Sequence, residues 1–165
     1  MSKGVALIIG AGDAIGSAIA RKFAASGLTV CAARRNPEKL EPLMEELRVK
    51  SHPAHAYQLD ARKEEQVIDL YRRIEEEVGE LEVVVFNIGA NVPMGILETD
   101  SRKFFKIWEM ACFAGFLCGR EAARYMILPR LPVLPFFFAE VCAHDLEIDG
   151  TVLVGADEPT VTAAL

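Results

Sequence analysis

Gly10-Ala11-Gly12-Asp13-Ala14-Ile15-Gly16 is the stretch of this chain best suited to chemistry. A short apolar run at residues 4–9 precedes it, and apolar residues at helical spacing follow it. That order reads strand, turn, helix. Such a turn leaves backbone N–H groups at the helix N-terminus without intrahelical acceptors, with the positive end of the helix dipole behind them. A cluster of donors of this kind suits a phosphate anion. Glycine lets a diphosphate approach the backbone and reaches angles that side chains resist. Small-residue loops also join strands to helices for structural reasons alone, so the turn has to be weighed with the rest of the chain.

The elements that must position it follow from periodicity. Ile15, Ile19 and Phe23 form one stripe of a first helix, closed by Gly27, and residues 28–33 read as a second strand. Asn36-Pro37 has the form of a helix start, with Leu40, Leu43, Met44 and Leu47 on the inner face. Residues 52–57 read as a third strand, followed by a helix capped by Asp60 with Val67, Leu70, Tyr71, Ile74 and Val78 inward and Gly79 at its end. Glu75-Glu76-Glu77 falls on its solvated side. Residues 81–86 carry an unbroken apolar run, which suits a parallel strand covered on both faces. Asp100 caps a long helix over 101–126, with Phe104, Ile107, Trp108, Ala111, Cys112 and Gly115 along one face.

Strand and helix thus alternate four times. The expected fold class is α/β, a three-layer doubly wound parallel sheet of Rossmann type with strand order 3-2-1-4. After Arg130 the character changes: Pro129, Pro132 and Pro135 interrupt the pattern, Phe136-Phe137-Phe138 forms an apolar cluster, and residues 151–154 read as one more inner strand. The expected division is a dinucleotide-binding region at 1–130 and an atypical C-terminal segment at 131–165.

Composition narrows the function classes. The 165 residues fit one domain, and Lys+Arg 18 against Asp+Glu 24 gives a net charge of −6 with no basic stripe, which argues against a nucleic-acid partner. Cys31, Cys112, Cys118 and Cys142 show no C-x-x-C pairing, so reduced thiols in a cytoplasmic protein are expected, with no metal site. The apolar N-terminus is interrupted by the glycine turn and Asp13, and the run at 131–143 carries Pro132, Pro135 and Glu140, so no membrane segment is expected.

The ordered set of motifs resembles the N-terminal half of the short-chain dehydrogenase/reductase family over about residues 3–126. The glycine turn stands where that family has G-x-x-x-G-x-G, with Ala14 in place of the middle glycine. Leu59-Asp60-Ala61 resembles the segment that holds the adenine, Phe86-Asn87-Ile88-Gly89-Ala90 the N-x-A-G element, and 101–126 the family's long fourth helix. The resemblance implies a nicotinamide dinucleotide held by Gly10, Gly12, Asp13, Ala14, Ile15, Gly16, Arg34, Arg35, Asp60, Ala61, Asn87 and Gly89. All of these follow strand C-termini, where ligands sit in open α/β sheets. Arg34 and Arg35 stand where a protein preferring NAD(H) would carry a carboxylate. The pair suits a 2′-phosphate through charge-assisted bonds, so NADP(H) is favoured over NAD(H), with a solvated pair as the alternative. Asp60 can serve as a plain N-cap as well, and Asn87 with Gly89 as a structural turn.

The chain departs from the family's catalytic pattern. Four residues after Tyr57, Tyr71 and Tyr125 stand Ala61, Glu75 and Pro129, so no Tyr-x-x-x-Lys exists to lower a phenol pKa. Ser101 is the last serine, and Ala111 occupies the position where the family often has asparagine. His144-Asp145 and Asp157-Glu158 read as surface and turn residues. The expectation is an NADP(H)-binding protein related to carbonyl reductases and alcohol dehydrogenases that lacks the usual catalytic residues. The break after Arg130 raises the expectation of a shortened, alternatively terminated or frame-shifted relative. The alternatives are a non-catalytic interaction protein on the same fold, forming homo- or hetero-oligomers through an exposed sheet edge or helix 101–127, and a binder of a flavin or sugar nucleotide.

Overall fold

In the computed structural model, described here for residues 3–89, 95–126 and 152–155, a five-stranded sheet runs in the order β3-β2-β1-β4-β5. The strands are β1 (Lys3–Ile9), β2 (Leu28–Arg34), β3 (Ala54–Gln58), β4 (Leu81–Phe86) and β5 (Val152–Gly155). The first four are mutually parallel, as their apolar runs require: Val5, Leu7, Ile9, Cys31 and Ala33 bury one face, and Ala6, Ile8, Val30, Ala32 and Val85 the other. The two core clusters lie on opposite sides of the sheet.

β5 corrects the expectation of one more inner strand: it lies at the edge of the sheet. It pairs antiparallel with β4, Val84 opposite Val154 and Phe86 opposite Val152. Direction is not written in Val-Leu-Val; the same edge N–H and C=O groups of β4 accept a strand either way. Ala90, Pro129, Pro132, Pro135, Phe136, Cys142, His144, Asp145, Asp157 and Glu158 lie outside the described residues.

Helix α1 (Ile15–Ala25) packs on the sheet through Gly16, Ser17, Ala20 and Ala24. This shifts the expected stripe: Ile15 is exposed, and Ile19 and Phe23 are only partly buried. The small residues bring the helix axis close to the sheet, which pushes the larger ones to the rim. Asn36 accepts a bond from the Glu38 amide and opens a 3₁₀ turn, Pro37–Leu40, before α2 (Glu41–Val49). Pro42 lacks the N–H that an α-helical first turn would donate to the Glu38 carbonyl. Leu40, Leu43 and Leu47 face inward as expected. β3 starts two residues later than the sequence suggested, because Pro53 has no ladder donor and contributes only its carbonyl, to Val30 N.

Helix α3 (Glu64–Glu77) buries Val67, Leu70, Tyr71 and Ile74. Its N-cap is Lys63, not Asp60, whose carboxylate is engaged elsewhere. Glu75 is only partly solvated and accepts the Leu81 amide, while Glu76 and Glu77 pair with Arg72 and Arg73 at the surface. The fourth helical region is interrupted. Helix α4 (Ser101–Trp108), opened by the Asp100 carboxylate on Lys103 N, passes through a π-helical turn, Glu109–Phe113, into α5 (Ala114–Met126). The expected single face therefore fails in its first half. No α4 residue is buried, and Phe104 and Phe105 are exposed, whereas Ala114, Leu117, Cys118, Ala122 and Met126 pack inward. A π turn inserts one residue into the helical ladder and rotates the downstream face. Tyr71 donates to the Cys118 carbonyl at 2.8 Å and Arg120 bonds Glu64 at 2.7 Å, locking α5 to α3.

Candidate nucleotide site

The carboxyl ends of the parallel strands finish level with one another. Ile9 lies opposite both Ala33 and Phe86, and Arg34 opposite Gln58. The residues that follow, Asp60, Arg34, Gly10 and Asn87, are thereby set in a row in the order of the strands.

The glycine turn is fixed by its neighbours on both sides. Gly10 N donates to the Ala33 carbonyl at 2.8 Å, and the Asn87 amide side chain donates to the Gly10 carbonyl at 3.2 Å. The Asn87 side chain thus fastens the turn to the end of β4. Gly10 adopts φ +84°, and a Cβ there would lie 2.7 Å from the Asn87 carbonyl carbon and 2.8 Å from Ile88 Cγ1. At Gly16 a Cβ would lie 2.6 Å from Ala11 Cα, so this glycine serves the close packing of helix on turn. Gly12 differs: the nearest atom to a Cβ is the Gly10 carbonyl oxygen at 3.9 Å, and its φ is not left-handed. Nothing among the described residues excludes a side chain at Gly12. The same holds for Gly89, which faces open space.

Ser17, which the sequence reading passed over, locks the turn. Its amide and hydroxyl both donate to the Gly12 carbonyl, at 3.0 and 2.7 Å. With that carbonyl turned inward, the amides of Ala14, Ile15 and Gly16 have no acceptor among the described residues, and Ala14 caps the helix without a side-chain bond. Three unanswered N–H groups at a helix start, with no acidic residue in its first turn, form a cluster of donors at the positive end of the helix dipole. A diphosphate fits it: donors are available and the space beside Gly12 is clear.

Arg34 closes one side of the turn, its Nη1 3.2 Å from Asp13 Oδ1. Arg35 is exposed next to it. Asp60 is held by Arg62, a residue the sequence reading also missed: the guanidinium donates to both carboxylate oxygens, at 2.9 and 2.7 Å, and the Arg62 amide to one of them. Arg62 reaches Glu109 of the π turn at 3.6 Å. The bond from Arg62 holds the Asp60 carboxyl below the ordinary value of 3.8, with the charge of Arg35 adding to it. A carboxyl whose pKa is lowered on folding stabilises the fold above its unfolded value, and that stability is lost as pH falls through the folded one. Asp60→Asn is therefore expected to flatten the loss of stability below about pH 4; an acid limb of unchanged slope in urea titrations would contradict it. Ala61 is buried, backbone included. Cys31, in the middle of β2, is buried and hydrogen-bonded to Tyr57, and burial pushes its thiol up to about 12, which disfavours the reactive thiolate.

Comparison with known proteins bears on the family and the fold. The family model described as short chain dehydrogenase matches residues 4–130. A short-chain dehydrogenase structure from Rhodopseudomonas palustris is 51% identical, with a TM-score of 0.71, over 74% of this chain and 57% of its own. The actinorhodin polyketide ketoreductase solved with NADPH is 26% identical, with a TM-score of 0.70, over 76% of this chain and 49% of its own. Among curated relatives, the 2,3-dihydro-2,3-dihydroxybenzoate dehydrogenase of Bacillus subtilis is 29% identical over 74% of this chain and 47% of that enzyme. The chain spans about half the length of the curated relatives it matches, such as 47% for that enzyme.

Proposed function

The chain belongs to the short-chain dehydrogenase family, and from that premise we propose that it binds a nicotinamide dinucleotide, NADP(H) in preference to NAD(H), without catalysing proton transfer by the family's usual groups. The observation that carries the reading is the donor cluster at Ala14, Ile15 and Gly16: amides without acceptors among the described residues, beside Gly12, which their packing does not require. In this reading residues 1–130 form the binding region and 131–165 an atypical C-terminal segment that lends β5 to the same sheet. The turn amides hold the diphosphate, Arg34 and Arg35 face the 2′-phosphate, Asp60 with Ala61 borders the adenine, and Asn87 with Gly89 borders the nicotinamide side. Such a cofactor, when bound, would carry the hydride. The ketoreductase relative, solved with NADPH, agrees with the choice of dinucleotide. Free thiols at Cys31, Cys112 and Cys118 suit a cytoplasmic setting, and no helix among the described residues is long and apolar enough to cross a membrane.

Titration of the purified chain with NADPH and NADH tests the reading. Saturable NADPH binding, a higher melting temperature, competition by adenosine 2′,5′-bisphosphate and no turnover across a carbonyl panel are expected. Absence of binding contradicts the first half, and robust turnover the second. Arg34→Ala is expected to weaken NADPH binding by about 1.4 kcal/mol, tenfold, through loss of a charge-assisted bond. Binding of NADH should stay unchanged; equal losses for both would remove the preference.

A second reading, an interaction protein on the same fold, is favoured by one observation. Phe104 and Phe105 on α4 and Phe116 on α5 are about half exposed, at 56%, 57% and 44%. A self-associating chain whose assembly is broken by Phe104→Ser and Phe105→Ser, with no response to NADPH, would support it over the dinucleotide reading.

A further inference from the structure

This inference rests on the NADP(H) reading above and concerns how strongly the site discriminates. The Arg34 guanidinium, proposed to meet the 2′-phosphate, already has an anionic partner. Asp13 Oδ1 lies 3.2 Å from Arg34 Nη1, and Asp13 belongs to the turn whose amides would hold the diphosphate. The two partners are unequal: the Arg34 side chain is 21% exposed, that of Asp13 86%. An ion pair with one member so open adds little to folding stability, and Asp13 makes no side-chain bond to the turn or to the start of α1. The carboxylate is thus not needed to shape the turn. It places a negative charge where a dianionic phosphate would arrive.

We propose that Asp13 is a specificity-determining residue, a tethered competitor that occupies Arg34 in the free protein and must yield it to the 2′-phosphate. Arg34 draws NADP(H) in, and Asp13 caps the gain, so the chain discriminates between the two dinucleotides less sharply than its arginine pair alone would allow. NAD(H) carries a 2′-hydroxyl there and does not contest the pair.

The test is calorimetric titration of wild type, Asp13→Asn, Asp13→Glu and the double variant Asp13→Asn with Arg34→Ala, using NADPH and NADH. Asn keeps the shape and removes the charge. Removing one carboxylate from beside a phosphate dianion at a hydrated surface is expected to tighten NADPH binding about five- to tenfold and to change NADH less than about twofold. Asp13→Glu should resemble wild type. In the Arg34→Ala background the gain should shrink below about twofold, because the contested partner is gone. An unchanged or weaker NADPH affinity in Asp13→Asn, with wild type binding normally, overturns the inference and leaves the site reading intact. A full gain that persists without Arg34 overturns competition as its cause. If wild type binds neither dinucleotide, the site reading falls and this inference with it. Equal melting temperatures of the nucleotide-free proteins confirm that only the site has changed.

Discussion

Gly10→Ala is expected to cost on the order of 3 kcal/mol of folding stability. Two causes add. At φ +84° an alanine is strained, by about 1 kcal/mol. Its Cβ would also stand 2.7 Å from the Asn87 carbonyl carbon and 2.8 Å from Ile88 Cγ1. The first of these atoms is backbone at the end of β4, tied to β1 by the Asn87 amide on the Ile9 carbonyl at 2.7 Å. Relief would have to part β1 from β4 at their carboxyl ends. Urea denaturation of the cofactor-free protein measures the loss; a change under about 1 kcal/mol would mean that the turn is looser than described.

Gly12→Ala, two residues on, should behave in the opposite way. Its Cβ meets nothing nearer than 3.9 Å and the backbone angle suits alanine, so stability without nucleotide should hold or rise slightly. In the proposed site the methyl group would enter the space assigned to the diphosphate that bonds the Ala14, Ile15 and Gly16 amides. A diphosphate drawn back from those donors loses charge-assisted bonds, and affinity is expected to fall by about 3 kcal/mol, over a hundredfold. Because the diphosphate is common to both dinucleotides, NADPH and NADH should lose alike, unlike the selective loss for Arg34→Ala. Unchanged affinity for both would move the diphosphate away from the turn. Together the two glycines separate what the fold needs from what the ligand needs.

Local patterns carried most of the fold. The apolar run at 81–86 and the Asn36-Pro37 start were readable because burial on both faces of a sheet and capping act over a few residues. So was the glycine turn, whose strand and helix adjoin it in sequence. What escaped depends on partners distant in the chain or on choices that the local residues do not make. Asp60 has the composition of an N-cap, yet its carboxylate turns to Arg62, and Lys63 takes the cap position. Trp108 and Cys112 fit one helical face until the π turn at Glu109–Phe113 changes the register. The engagement of Arg34 by Asp13 joins residues 21 apart and shows only once β2 lies beside β1. Ser17 escaped because its donors meet a backbone carbonyl, which no side-chain motif signals.

The central claim is that the turn amides grip the diphosphate of a nicotinamide dinucleotide, and amide-resolved NMR titration of the isotope-labelled chain with NADPH tests it most directly. Large, saturable shifts are expected, concentrated at the amides of Ala14, Ile15 and Gly16 and abolished by Gly12→Ala at the same concentration. Resonances of those amides that stay in place while NADPH is in excess would contradict it.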